Sequence, residues 1–227
     1  MQTLGITIHD PDVVLTDLGL AILGAWFARR LGAPEHRRSL GRAPAVLMAG
    51  LAGAAFCGAV FHAFFPRQTE TWPGYLAWIP VSLSIVVAAS ALLELGIGAL
   101  APGFPERTRR GIVVAYATVF AAVVVLVDGS FGSIVRFYVP ALLIFLVGAT
   151  VRAAREGGGW IAIALGLALS AAAAVLQQLR VSIHPMYFDH NAVYHVVQAG
   201  ALVLLYLGFL RIAEAPAQGR AVGVAAR

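Results

Sequence analysis

Lysine is absent from the 227 residues of this chain, cysteine occurs once, and charged residues make up only 12% of the sequence. The missing lysine excludes a retinal-binding rhodopsin, because retinal is held as a Schiff base on a lysine side chain. The single Cys57 excludes an intramolecular disulfide. So little charge is not typical of a water-soluble domain, and it indicates a membrane protein.

Apolar residues, by contrast, account for 60% of the chain and are grouped in long runs. A helix needs about 20 such residues to cross about 30 Å of hydrocarbon. The predicted spans are 13–27, 44–65, 74–100, 111–127, 131–151, 160–179 and 191–212. We therefore predict an all-α polytopic membrane protein, with a single seven-helix transmembrane domain over residues 1–212. Residues 213–227 are predicted to form a short disordered cytoplasmic tail.

The basic residues are all arginine and lie mainly on one side of this predicted bundle. Arg67, Arg136 and Arg180 fall on one side, and the other thirteen arginines fall on the opposite side. Because arginine-rich loops stay in the cytoplasm, the N-terminus is predicted outside and the C-terminus inside, in the inner membrane of a cell. The arginines are explained by topology, so the expected partner is the lipid bilayer and no nucleic-acid partner is predicted.

Polar residues from different spans are predicted to share one depth, in the outer half of the bundle. A rise of 1.5 Å per residue places Asp17, His62 and His195 near the outer ends of their helices. Glu94 is the chief ionisable residue of the inner half. Polar side chains inside a membrane are costly and indicate function, so the outer layer is the candidate site.

Several residues of this layer also have simpler structural explanations. Asp189 precedes the last span and fits a helix N-cap as well as a chemical role. Asp17 can favour the positive end of the first helix, and Ser84 can hydrogen-bond to its own helix. Asp128 can form an ion pair with Arg136 across a tight turn. The sequence leaves both kinds of explanation open for each residue.

The histidines point to a metal site, because His62 and His195 lie at one depth on different spans. Catalytic zinc takes three protein ligands and a water, and His62, His190 and His195 would supply the three. His190 and His195 diverge by about 140° around a helix, so both can bind one ion only if His190 lies on a capping turn. Asn191 shares a face with His195 and is the alternative to His190.

Other polar residues are predicted to assist these ligands. The predicted catalytic carboxylates, which would orient a ring N–H or the water, are Asp189, Asp17 and Asp128. The predicted supporting residues around the metal ligands are Asn191, Ser84 and Gln198.

The seven-span layout, the segment GAVFHAF around His62 and the opening FDHNAVYH of the last span resemble one known superfamily. It groups alkaline ceramidases with adiponectin and progestin receptors. The resemblance implies zinc held between His62 and a histidine pair of the last span, of which His195 matches one member. The chain departs from the pattern at Gly58, where the superfamily has serine, and at Asn191, where it has the other histidine.

The resemblance implies a zinc-dependent integral membrane hydrolase that cleaves an amide or ester bond of a lipid, with ceramide as the family substrate. The alternative is a non-catalytic membrane sensor or partner subunit whose outer polar layer binds a ligand. Bound metal distinguishes the two, since the hydrolase requires it. A proton or solute channel would need polar residues that continue through the inner half of the bundle. Glu94 is the chief ionisable residue there, and it alone gives little support for a channel.

Overall fold

The structure is a computed structural model that describes residues 2–3, 6–65, 69–184 and 187–215. Its helices are, in chain order, α1 (Pro11–Leu31), α2 (Pro34–Leu40), α3 (Ala43–Phe64), α4 (Trp72–Leu100), α5 (Glu106–Ala122), α6 (Phe131–Glu156), α7 (Gly159–Gln178) and α8 (His190–Glu214). Within the described residues, seven helical segments are long and apolar enough to span a membrane, and the fourth of them is α5 with its continuation to Val127. The predicted all-α seven-helix bundle is confirmed, and the chain is a multi-pass membrane protein.

Some elements differ from the predicted boundaries. The short helix α2 lies where a loop was expected, and Pro34 stands in its first turn, where a missing N–H needs no partner. Two short antiparallel strands, β1 (Gln2–Thr3) and β2 (Ile6–Thr7), precede α1. Helix α8 continues to Glu214, so the first residues assigned to the tail are helical. Residues 216–227 of that tail lie outside the described residues.

Local chemistry accounts for where several helices begin. The Thr71 side chain accepts a hydrogen bond from a first-turn N–H of α4, and Ser130 does the same for α6. Asp189 accepts two such bonds at the start of α8. These side chains satisfy N–H groups that have no partner inside the helix. The end of α5 continues as a π-helical turn, Val123–Val127.

The first and last helices of the chain are neighbours in the bundle. Helix α1 packs between α3 and α8, α7 packs along α8, and α4 packs between α3 and α6. The side chain of Asp12, near the start of α1, accepts a hydrogen bond from the Asp189 N–H at the start of α8. Both helices therefore begin on the same side of the bundle and run parallel.

Glycines allow α7 and α8 to approach closely. A Cβ on Gly208 would lie 2.7 Å from the carbonyl oxygen of Gly159 and 2.9 Å from the backbone nitrogen of Ile163. Backbone atoms cannot move aside as a flexible side chain can. The contact between the two helices therefore requires a residue without a side chain at position 208.

We predict that Gly208→Ala lowers the free energy of unfolding by about 1–3 kcal/mol, because the added methyl group collides with the backbone of α7. The matched control is Gly19→Ala, also inside a helix, where a Cβ would meet nothing within 4 Å. Alanine is favoured over glycine in a helix by about 1 kcal/mol, so the control is expected to be neutral or stabilising. Thermal unfolding in detergent, followed by circular dichroism, measures both. Equal midpoints for the two variants would contradict the close approach.

Candidate functional site

Asp17 and His195 contact each other between α1 and α8. Oδ1 of Asp17 lies 3.2 Å from Nε2 of His195, and the two residues are 4% and 9% exposed. Asp17 is the seventh residue of α1 and His195 the sixth of α8. The helical rise puts them about 9 Å and about 8 Å from the starts of their helices. Two parallel helices that start together thus place the two side chains at one depth.

The hydroxyl of Thr16 extends this pair to a chain of three groups. Thr16 Oγ1 lies 3.1 Å from Nδ1 of His195, and it also donates to the Asp12 carbonyl at 2.9 Å. A histidine ring with one proton donates through one nitrogen and accepts through the other. The three groups therefore form a hydroxyl–imidazole–carboxyl network.

Gly58 of α3 leaves room for the Asp17 carboxyl group. A Cβ at position 58 would lie 3.0 Å from Oδ2 of Asp17 and 3.5 Å from its Cγ. This position is the one at which the resembling superfamily has serine. Where this chain departs from that pattern, the carboxyl group of Asp17 from α1 therefore lies next to Gly58.

Asp189 is the N-cap of α8. Its Oδ1 accepts hydrogen bonds from the backbone N–H groups of Asn191 at 2.8 Å and Ala192 at 3.0 Å. Its own N–H donates to Oδ2 of Asp12 at 2.9 Å. This geometry is that of the N-cap alternative. The hydrogen bond from Asp189 to Asp12 also connects the first turns of α8 and α1. A catalytic role for Asp189 stays a prediction.

His62 and His190 each lie beside an aspartate. Nδ1 of His62, at the end of α3, is 3.7 Å from Oδ2 of Asp10, which is longer than a hydrogen bond. In the described part of the chain, this buried nitrogen has no hydrogen-bond partner. His190 is the first residue of α8, with Nδ1 3.7 Å from Oδ2 of Asp189. The structure thus places the three predicted histidine ligands next to three different carboxyl groups.

A zinc ion does not fit the donors as they are arranged. Among the described residues, no three His, Cys, Asp or Glu side chains form a group that could hold a metal ion. Both ring nitrogens of His195 already contact protein groups, Thr16 and Asp17. Catalytic zinc needs three convergent ligands, so the predicted set of His62, His190 and His195 is not assembled here. Zinc binding by this chain stays a prediction.

Asp128 lies in the turn between α5 and α6. Its carboxylate accepts hydrogen bonds from the Ser133 hydroxyl and from the Ser130 N–H. The Ser133 bond first, and then the Ser130 bonds, lower the pKa of Asp128 to about 2. Because this pKa is depressed, the carboxylate stabilises the turn at neutral pH, and that contribution is lost as the pH falls through about 2.

The ion pair considered for Asp128 is not formed. Within the described residues, Arg136 makes no ion pair with Asp128, since the serines already satisfy the carboxylate. Arg136 acts on Asp128 only through its charge, as the last of the contributions that lower the Asp128 pKa. The predicted catalytic role of Asp128 stays a prediction, although its hydrogen bonds belong to the α5–α6 turn and not to the junction of α1 and α8.

The three predicted supporting residues have hydrogen bonds of their own. Ser84 donates to the Pro80 carbonyl of its own helix at 2.7 Å, as its structural alternative predicts. Gln198 donates to the Ser170 hydroxyl of α7 at 3.1 Å. Asn191 accepts from an amide at the end of α7 at 3.3 Å. Gln198 and Asn191 therefore hold α8 against α7, beside the Asp17–His195 pair.

The predicted site omits Thr16, Asp10 and Asp12. The two aspartates flank Pro11 at the start of α1, a pattern that normally indicates a helix terminus. For Thr16, the signal available in the sequence was its position next to Asp17 in an apolar span. It is a weak one, because threonine in a helix usually bonds to its own backbone, and Thr16 does so here as well.

A surface cleft of about 320 Å³ reaches Thr16, one of the three groups of this network. It is lined by Pro11, Asp12, Leu15, Thr16, Tyr187 and Phe188. Leu15 and Tyr187 are 72% and 71% exposed. The cleft is within the size range of small-molecule sites. Thr16 is thus reached from the outside of the bundle through an opening with an apolar rim.

Residues 13–214 match the model of a family of unknown function, DUF6962. The chain belongs to this family. No curated protein and no solved structure matches the chain. Asp17, His62 and His195 all lie inside the part of this DUF6962 protein that the family model covers. The resemblance to the ceramidase and receptor superfamily stays a prediction.

We predict that Gly58→Ala destabilises the DUF6962 protein by about 1–3 kcal/mol, because the methyl group displaces Asp17 from His195. The matched control is Gly53→Ala in the same helix, where the Cβ meets the Ser84 hydroxyl at 2.9 Å. That hydroxyl can rotate, so a smaller loss is expected. Unfolding midpoints compare the two variants.

A third variant makes the comparison decisive. In an Asp17→Ala background the space beside position 58 is free, so adding Gly58→Ala should cost nothing further. An equal cost of Gly58→Ala with and without Asp17 would disprove the proximity of the two residues.

Proposed function

We propose that this protein is an integral membrane hydrolase that cleaves an amide or ester bond of a lipid. The observation that supports the proposal is the Thr16–His195–Asp17 network beside a cleft with an apolar rim. The arginine distribution predicts that this end of the bundle faces outward, so the lipid would enter from the outer leaflet. The superfamily resemblance makes an acylated amine such as ceramide the first substrate to test.

The network contains the three groups that nucleophilic hydrolysis uses: a hydroxyl, an imidazole base and a carboxylate that orients the base. Thr16 Oγ1 and His195 Nδ1 are 3.1 Å apart, within reach for proton transfer. The transfer requires the tautomer with the proton on Nε2, which then donates to Asp17. The Thr16 hydroxyl must also turn from the Asp12 carbonyl toward Nδ1.

In the proposed reaction Thr16 Oγ1 attacks the lipid carbonyl carbon and its proton passes to Nδ1 of His195. Asp17 stabilises the imidazolium through its contact with Nε2. The C–N or C–O bond then breaks, and His195 gives the proton to the leaving amine or alcohol. Water, deprotonated by His195, next cleaves the acyl-threonine ester and releases a fatty acid. These steps use no metal.

The apolar rim of the cleft supports a lipid as the substrate. Leu15 and Tyr187 are exposed on the surface that lies nearest to the acyl chains and headgroups of the outer leaflet in the predicted orientation. A water-soluble substrate would gain nothing from such a rim. The reacting carbonyl of a lipid lies close to the headgroup level, and Thr16 lies only a few residues inside the start of α1.

A non-catalytic sensor or partner subunit is the second candidate. The observation that favours it is the hydrogen bond from the Thr16 hydroxyl to its own backbone, which engages the group that a hydrolase needs as nucleophile. A satisfied polar network can also serve only to hold helices together. Activity of the purified chain distinguishes the two functions.

We predict that the purified full-length protein releases fatty acid from fluorescent ceramide or from an acyl ester lipid in mixed micelles. Thr16→Val, which removes the hydroxyl at nearly constant volume, and Asp17→Asn should each lower the rate on the order of 100-fold or more. Thr16→Ser should retain activity. The matched control is Thr150→Val, whose hydroxyl also bonds back within its helix, to the Leu146 carbonyl at 2.8 Å.

Metal is tested in the same assay. A zinc chelator should leave the rate unchanged if the network acts alone, whereas loss with the chelator and recovery with zinc would favour the metal mechanism. Full activity in Thr16→Val would eliminate Thr16 as the nucleophile. No hydrolysis of any tested lipid by the wild type, with or without zinc, would favour the sensor.

A further inference from the structure

A second cleft lies at the other end of α1 from the Asp17–His195 pair. It has a volume of about 400 Å³ and is lined by Trp26, Arg29, Arg30, Ala33 and Glu35. The arginine distribution predicts that this end faces the cytoplasm. Topology accounts for arginines on this side of the membrane, but not for a cleft that gathers two of them with an aromatic residue.

The two arginines of this cleft make no ion pair with the residues that the structure describes. Arg29 and Arg30 are both exposed. Other arginines near the same side do: Arg110 pairs with Glu106 at 2.9 Å and Arg152 with a carboxylate at 2.8 Å. Two adjacent guanidinium groups without carboxylate partners favour a phosphate, which they can bind through paired N–H donors.

The backbone around the cleft is held in place. The His36 ring Nδ1 lies 3.0 Å from the Arg30 carbonyl oxygen, so α2 is connected back to the end of α1. Helix α2 also packs against α8. Glu35 lies in the first turn of α2 and forms another part of the lining. The cleft is therefore formed by elements that contact the bundle and does not depend on a free loop.

Trp26 indicates the level of the cleft in the membrane. It precedes Arg29 by three residues and Arg30 by four, so it lies on the same face of α1, one turn nearer the membrane centre. Its side chain is 51% exposed, and its ring contacts Tyr206 of α8 at 5.4 Å. Tryptophan favours the interface between hydrocarbon and water. The arginines thus lie about 5 Å further out, at the level of lipid phosphates.

We propose that this cleft binds the headgroup of an anionic phospholipid. Arg29 and Arg30 bind the phosphate, and the glycerol backbone packs against Trp26. The Glu35 carboxylate on the lining can accept hydrogen bonds from a hydroxylated headgroup, which makes phosphatidylglycerol a suitable probe. This site is separate from the network of Thr16, His195 and Asp17, and it does not depend on hydrolysis.

The test is lipid binding to the full chain in detergent, measured by native mass spectrometry with added phosphatidylglycerol or phosphatidylcholine. The wild type should bind one phosphatidylglycerol in preference to phosphatidylcholine. Arg29→Gln with Arg30→Gln should weaken that binding about tenfold or more. The matched control is Arg107→Gln with Arg110→Gln, which changes the same charge at exposed positions of α5 and should bind like the wild type.

Three results would overturn the proposal. Equal affinity of the wild type for the two lipids would show that the cleft has no preference for an anionic lipid. Equal weakening in both double variants would assign that preference to overall charge rather than to the cleft. Binding of inorganic phosphate to the wild type but not to the Arg29→Gln, Arg30→Gln variant, with no phosphatidylglycerol bound to either, would identify free phosphate as the ligand. Thermal unfolding of both double variants verifies that they remain folded.

Discussion

The burial of an Asp17 carboxyl group against a His195 imidazole, between the first and last helices, is the interaction on which the arrangement of the bundle depends. Each group alone would be costly in an apolar interior, and a buried polar group left without its partner typically costs about 1–3 kcal/mol. The two groups therefore avoid this cost only when α1 and α8 meet in this register. The Asp12–Asp189 hydrogen bond fixes the same register at the helix starts.

This contact also requires space in a third helix. Gly58 on α3 leaves the volume beside Asp17 open, so α1, α3 and α8 share one polar junction, in addition to the polar contacts between α7 and α8. The hydrophobic effect provides no preference between apolar helix faces inside lipid, and polar contacts and close packing have to specify the neighbours. A glycine, an acid and a histidine on three helices specify them here. The same three positions define the surroundings of the proposed nucleophile.

The sequence predicts the spans well because a long apolar run in a membrane protein has one structural explanation, a helix that crosses the bilayer. It also predicts depth, since helix direction and a constant rise place Asp17 and His195 at one level. Depth does not determine which helices are neighbours, however, because the lateral arrangement depends on packing across the whole chain. Thus the sequence could not show that His62 lies beside Asp10, or that Asp128 is bound by Ser130 and Ser133 in its own turn. Helix α2 was missed because its seven residues carry no membrane signal.

The most direct test of the Asp17–His195 interaction is a double-mutant cycle on the free energy of unfolding, with Asp17→Ala, His195→Ala and the combined variant. If the two side chains contact each other as described, the combined variant loses less than the sum of the single losses, by about 1–3 kcal/mol. Single losses that add, within about 0.5 kcal/mol, would mean that the two residues act independently and would contradict the account.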